Sequence, residues 1–434
     1  VMRSGGQAVG SGLRWLTCSK IWLWLLLLGT VTAPCVFAQQ QPPDRPSARP
    51  SELTVYLMTM GPGKRVWERF GHNAIWIHDP VRGTDQTYNY GLFDFGQKNF
   101  LLRFVQGRMW YWMEGFPAQS YVESYRRANR SVWVQELEMP PAARRELQAF
   151  LQWNERPENR FYHYDYYRDN CSTRVRDALD RALGGLIRQG TAQLSTGRTF
   201  RFHTLRLTAN DPPVYTGLLL ALGEPVDRPI SAWEEMFLPL AMRVHLRKLT
   251  VTTPDGRVVP LVRSERTLFE STEPAPPPKP PSWLPSYLTI GVVIGALSYG
   301  LALASQRSRP ARIGFLVTVY IWLLGSGIAG VVITGLWGLT DHSAAYNNEN
   351  VLQLSVLALP LLWFATRLSV GVVAATKPAL ILAGATAALS LLGLLLKPLP
   401  SFYQVNAPII ALALPAHLGV FAGLLGLARS RAGR

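Results

Sequence analysis

Glu273-Pro-Ala-Pro-Pro-Pro-Lys-Pro-Pro-Ser-Trp-Leu-Pro285 divides the 434-residue chain into two halves of different character. So much proline removes backbone donors and fixes φ, so the segment favours extended polyproline geometry and acts as a stiff linker over 271–285. Downstream lie five apolar stretches, at about 287–305, 313–336, 348–366, 378–396 and 405–427, each long enough to cross a bilayer at the ~20 residues that a span needs. With the first span entering from outside, Arg307, Arg309, Arg312, Arg367, Lys377, Arg429, Arg431 and Arg434 fall on one side and only Lys397 on the other. The excess of positive charge on inward-facing loops then puts everything before the linker outside the cytoplasm. Residues 286–428 read as an all-α transmembrane domain of five helices, and 429–434 as a cytoplasmic tail.

The N-terminal end fits that orientation. Arg3, Arg14 and Lys20 precede an apolar run from Ile21 to Ala33 and the small-residue pattern Val36-Phe37-Ala38, which together read as a signal peptide over 1–38. Pro34 before Cys35 argues against lipidation there. Much of the formal net charge of +16 belongs to this leader and to the inward loops, and the exported part keeps only a modest basic excess. No nucleic-acid-binding motif is present, and the compartment is wrong for one.

Between 39 and 270 the pattern is α+β. Leu53 to Met58 and Asn73 to His78 read as strands, Pro141 to Asn154 and Ser172 to Leu183 as helices, and Asp255-Gly256 as the turn of a hairpin between Leu249–Thr253 and Val258–Val262. If Cys18 and Cys35 leave with the leader, Cys171 is the single cysteine of the mature chain, in a compartment that oxidises paired thiols. A lone cysteine is ordinarily a small buried hydrophobe. Here Asp169 or Asn170 forms a good N-cap directly before it, so the thiol stands at a helix N-terminus. The helix dipole there favours thiolate, and free backbone N–H groups can receive an oxyanion. A thiol nucleophile needs a base, and His72, His78, His163, His203, His245, His342 and His417 are all available; the pattern does not choose among them.

Phe70-Gly-His-Asn-Ala-Ile-Trp-Ile77, Tyr88-Asn-Tyr-Gly-Leu-Phe-Asp-Phe95 and Asp169-Asn-Cys-Ser-Thr-Arg174 resemble three signatures of the Lnb-type lipoprotein N-acyltransferase family. That family was formerly known only as a periplasmic domain of unknown function. The order of His and then Cys also resembles the permuted papain-like folds of NlpC-type peptidases and lecithin:retinol acyltransferases. The resemblance implies a permuted papain-like domain without cofactor or metal, in which Cys171 is the nucleophile, His72 the base and Asn89, ahead of Tyr88 and Asp94, the group that orients the imidazole. It further implies substrate contacts from Asn73, Tyr88, Tyr90, Asn170 and Arg174. An acyl chain would pass from a phospholipid to Cys171 and then to the amine of a diacylglyceryl lipoprotein, at the inner membrane. A cell-wall cysteine peptidase or amidase acting on peptidoglycan stems is the alternative within the same superfamily, and a scaffold with an incidental thiol is the alternative outside it.

Two further stretches stand out. Thr340 to Asn350 is a polar loop on the outer side, where His342 and Asn350 could meet a lipid headgroup or the acceptor amine, although loops between spans are ordinarily polar. Trp110-Tyr-Trp112 could meet a membrane interface, but reads more simply as an aromatic core strand.

Overall fold

The computed structural model describes residues 53–432. The leader expected over 1–38, with Cys18 and Cys35, lies outside the described residues, as does Arg434. The exported part is built on one antiparallel sheet of strands β1 (Thr54–Met60), β2 (His72–Asp79), β3 (Thr84–Leu92), β4 (Trp110–Pro117), β5 (Val132–Leu137), β6 (Phe161–His163) and β7 (Val262–Phe269). Their spatial order is β7-β5-β1-β2-β3-β4-β6.

Period-two alternation gives this sheet two covered faces. Val55, Leu57, Ile75, Ile77, Tyr88 and Tyr90 point to one face and pack with Leu147, Leu151, Val175 and Leu179. Those residues belong to α3 (Pro141–Asn154) and α4 (Cys171–Ala182), which follow α1 (Phe100–Gln106) and α2 (Ala118–Arg127) in the chain. Met58, Met60, Ala74, Val132 and Val134 point to the other face, under Tyr121 and Tyr125 of α2. The expected helix over 141–154 forms at those bounds, with Pro141 at its first position, where the missing N–H costs nothing. The expected hairpin also forms, as the short pair Thr250–Thr252 and Val258–Pro260.

Further helices in this half include α5 (Phe200–Leu207), α6 (Pro212–Ala221) and α7 (Pro239–Leu246). The linker over 271–283 has no regular helix or strand, as expected. It is not what holds the halves together, however, because Leu205, Tyr215 and Leu219 of α5 and α6 share one hydrophobic core with the C-terminal helices. Those are α8 (Leu284–Ala304), α9 (Arg309–Leu339), α10 (Ala358–Ser369), α11 (Thr376–Leu395) and α12 (Ala407–Ala432).

Four helical stretches, not five, are long and apolar enough to cross a bilayer among the described residues: Leu284–Ala304, Arg309–Leu339, Val373–Leu395 and Ala407–Arg431. The stretch read as a third span over 348–366 instead gives the 12-residue α10. At 1.5 Å per residue it covers about 18 Å of a ~30 Å core. Pro360 sits in its first turn, where a proline is tolerated, and disfavours helix further upstream. Residues before it form a polar limb, with a 3-10 turn at Glu349–Leu352, that is buried among the other helices. α8 and α12 approach closely through glycine: a Cβ on Gly419 would come within 2.2 Å of the Gly295 carbonyl oxygen.

Candidate active site

The start of β2 lies beside the end of β3 because the two strands run antiparallel, and the N-terminus of α4 is packed against both. This places His72, Gly91 and Cys171 at one corner of the sheet. Gly91 reports the spacing: it adopts φ +98° beside a break in the β3–β4 register, and a Cβ there would stand 3.1 Å from Cys171 Cβ and 3.7 Å from His72 Cε1. A side chain there would press on the thiol residue and lie against the imidazole.

Asn170 caps α4 as expected, its Oδ1 accepting from the Ser172 and Thr173 backbone N–H groups at 2.9 Å each. Its Nδ2 donates to the Tyr166 and Phe237 carbonyls. Asn73 donates from Nδ2 to Ser172 Oγ at 2.9 Å, tying β2 to the first turn of α4, while its Oδ1 is buried without a partner. The backbone N–H groups of Asn73, Ser172 and Cys171 itself lie near enough to the sulfur to favour its thiolate. A cluster of N–H donors of this kind suits an oxyanion formed on a carbonyl carbon bonded to that sulfur.

His72 Nε2 is 2.5 Å from Asn89 Oδ1, the group ranked first to orient it. The amide oxygen can only accept, so Nε2 carries the hydrogen and Nδ1 is the basic nitrogen. The other histidines are occupied elsewhere: His78 pairs with Asp85, His203 and His245 share Glu235, His163 stacks on Trp110, and His417 lies within α12, bonded to the Gln353 carbonyl.

The electrostatics run against the helix-dipole expectation. Burial pushes the Cys171 thiol up to about 11, more than the three backbone N–H groups and the Arg130 charge can offset. Burial also holds His72 down to about 4, opposed by the Asn89 hydrogen bond and assisted by Arg130. At neutral pH these shifts leave both the thiol and the imidazole uncharged. Tyrosines surround the thiol: Tyr111, Tyr121, Tyr125, Tyr162 and Tyr164 all lie close enough for a thiolate at Cys171 to raise their own hydroxyls.

Other expected contacts are placed differently. Tyr88 and Tyr90 point under the sheet toward α3, where the Tyr90 hydroxyl donates to Asn154 Oδ1 at 2.6 Å, so neither opens toward the thiol. Arg174 is paired with Asp169 and lies 4.2 Å over the Tyr162 ring. Asp94 lies in an exposed turn, accepting from the Gly96 N–H. His342 stacks on Tyr166 and lies 3.0 Å from the Phe104 carbonyl oxygen, fastening the polar limb to the exported domain. Asn350 is fully buried, donating to the Leu219 and Leu220 carbonyls, away from the corner. Trp110 to Trp112 form the expected aromatic strand, with Tyr111 turned toward the site.

Sequence reasoning missed Gly91 and Arg130. Gly91 was present inside the second signature, but its role follows from strand register. Arg130 lies beside the site with its guanidinium 4.7 Å over the Tyr125 ring; Nε donates to the Gly61 carbonyl, and Nη2 is buried without a partner. Nothing local marks it, because it reaches the corner only through the fold.

Residues 40–210 match the family model described as the Lnb N-terminal periplasmic domain. Neither a curated protein nor a solved structure gives a match.

Proposed function

With residues 40–210 carrying an Lnb N-terminal periplasmic domain on a helical part with four candidate spans, we propose that this membrane protein is a thiol acyltransferase of the inner membrane. It moves a fatty acyl chain from phospholipid, through a Cys171 thioester, to the N-terminal amine of a diacylglyceryl lipoprotein. The observation that carries the reading is the corner itself: a thiol with three backbone N–H groups near it, and an imidazole at the same corner whose Nε2 is held by an amide oxygen.

The steps balance without a cofactor. Nδ1 of His72 takes the thiol proton as Sγ of Cys171 bonds to the ester carbonyl carbon, and the N–H groups of Asn73 and Ser172 receive the negative oxygen. Collapse breaks the ester C–O bond, His72 returns the proton to the departing alkoxide, and a lysophospholipid leaves. The lipoprotein amine then attacks the thioester, its proton passes to His72, the C–S bond breaks, and the sulfur is reprotonated as the amide departs. The Asn89 contact keeps the imidazole in the tautomer that this requires. A permuted papain-like core fits this order of groups.

A peptidoglycan peptidase could use the same pair, but the fusion of α5 and α6 into the membrane core favours a lipid substrate over a soluble one. The test is mass spectrometry of lipoprotein N-terminal peptides from a strain that relies on this protein. N-acylated peptides are expected with the wild type and not with Cys171→Ser. Full acylation with Cys171→Ser, or muropeptide release by the lipid-free protein, would overturn the reading.

A further inference from the structure

We infer that Phe93–Val105 is a lipid-loading element, with α1 lying in the outer interfacial layer of the bilayer and an aromatic row leading an acyl chain from there to Cys171. The chemistry at its inner end rests on the acyltransferase reading, whereas the membrane contact does not.

α1 reads Phe-Leu-Leu-Arg-Phe-Val-Gln, and Leu101, Leu102, Phe104 and Val105 are 72%, 55%, 45% and 51% exposed. Phe95, in the loop before it, is 62% exposed and meets the exposed Trp67 ring at 6.2 Å. A contiguous apolar patch of this kind marks a surface that something covers.

The position of α1 identifies the cover. Its last carbonyl, that of Gln106, accepts from the Asp341 N–H at 2.8 Å, and Arg108 pairs with Asp341 at 2.6 Å. Asp341 is the second residue past Leu339, where the 31-residue apolar helix α9 ends. The patch is therefore pinned at the outer end of a membrane span, at the level where an apolar helix meets headgroups. Lys98 and Arg103 in the same segment supply the cations that an anionic bilayer surface attracts.

The inward path is continuous. Ring centroids step from Phe104 to Phe100 at 6.3 Å, to Phe95 at 5.1 Å, to Phe93 at 4.9 Å, to Tyr111 at 5.2 Å and to Tyr164 at 4.1 Å. Tyr111, Tyr164 and Cys171 pack against the same hydrophobic core cluster. One end of this row faces the bilayer surface and the other the nucleophile, an arrangement suited to an acyl chain that must leave a membrane to react.

The test uses the full chain in vesicles of phosphatidylethanolamine and phosphatidylglycerol. With Cys18, Cys35 and Cys171 replaced by serine, a nitroxide is attached to Leu101→Cys and, as a control, to Val81→Cys in the turn at the far end of β2. The expected result is a probe at 101 open to oxygen and shielded from an aqueous nickel chelate, with the probe at 81 open to nickel. A nickel-accessible probe at 101, or one shielded from both reagents as a protein–protein contact would make it, overturns the inference. In the chain retaining Cys171, Leu101→Asp with Leu102→Asp is expected to slow labelling by a vesicle-borne acyl phosphonate about tenfold while leaving iodoacetamide labelling within about twofold. Equal slowing of both reagents, or of neither, also overturns it. An embedded probe together with a wild-type Cys171 that never acquires an acyl chain supports the membrane contact and defeats the acyltransferase reading instead.

Discussion

The corner around Cys171 and the polar seam beneath it differ in how fully their polar atoms are paired. In the seam, the polar limb meets α5, α6, α11 and α12, and donors find acceptors in turn. Arg201 bonds Asp227 at 2.7 Å and the Leu222 and Gly223 carbonyls; Asn348 bonds the Leu220 carbonyl; Gln353 and Ser390 bond each other; Lys397 holds Glu349 and the Gln404 carbonyl. At the corner, Asn73 Oδ1, Arg130 Nη2 and the Tyr162 hydroxyl are buried without partners, against Asn406 Oδ1 in the seam. Buried polar groups are nearly always paired, so the more fully paired seam reads as scaffold and the corner as a place that awaits a ligand. The seam also explains how an irregular limb survives among apolar helices: its backbone is enclosed by protein rather than lipid.

That contrast can be broken by substitution. The largest effect is expected from Cys171→Ser, which should lower acyl transfer by at least about 10^3-fold while leaving the melting temperature nearly unchanged. Arg201→Met should do the reverse: it strands Asp227 in the seam, costing about 3–5 kcal/mol, while the thiol of the molecules that remain folded reacts at the wild-type rate. Thermal denaturation and thiol labelling on the same samples separate the two outcomes. Slower labelling in folded Arg201→Met would show that the seam serves the site. Asn89→Ala should cut transfer by about 10-fold to 100-fold, since the imidazole keeps its position in β2 but loses its fixed tautomer. Gly91→Ala should destabilise by about 1–2 kcal/mol through its positive φ, and should slow transfer as well, because its Cβ presses on Cys171.

The pH dependence sharpens the same point. An unfolded histidine gains its proton near 6.5, whereas His72 in the fold resists until about 4, so stability falls as pH drops between those values. An unfolded cysteine loses its proton near 9, whereas Cys171 keeps it up to about 11, so stability falls as pH rises between those values. Melting curves of wild type and Cys171→Ser should therefore diverge above pH 9, with the wild type losing stability faster. Iodoacetamide labelling should keep climbing through this range, whereas a plateau near neutrality would mean a preformed ion pair.

What was legible in the chain was local. The helix over 141–154, the strand opening at His72 and the Asn170 cap before Cys171 carry their own signals in adjacent residues. The Asn89 contact came from a motif resemblance, and it is strand register that brings the two side chains together. What was not legible depends on distant parts converging. The sign of the thiol shift reversed because burial outweighs a dipole that is readable from one helix, and the tyrosines around the thiol come from β4, α2, β6 and the Tyr164 segment. Arg130 reaches the site from the end of α2. The third stretch gives a shorter helix than its length suggested because of a local detail, Pro360, and of the polar limb, whose partners sit on α6, α11 and α12. The fusion of α5 and α6 with the bundle was hidden because their apolar faces look like those of any domain core.

The most direct test of the central claim is intact-mass analysis of the full chain incubated with phospholipid vesicles in the absence of an acceptor. The expected result is a mass increase of one fatty acyl chain, mapped to Cys171, labile to hydroxylamine and absent from Cys171→Ser. A wild-type chain that acquires no adduct, or an adduct that resists hydroxylamine and survives in Cys171→Ser, would contradict it.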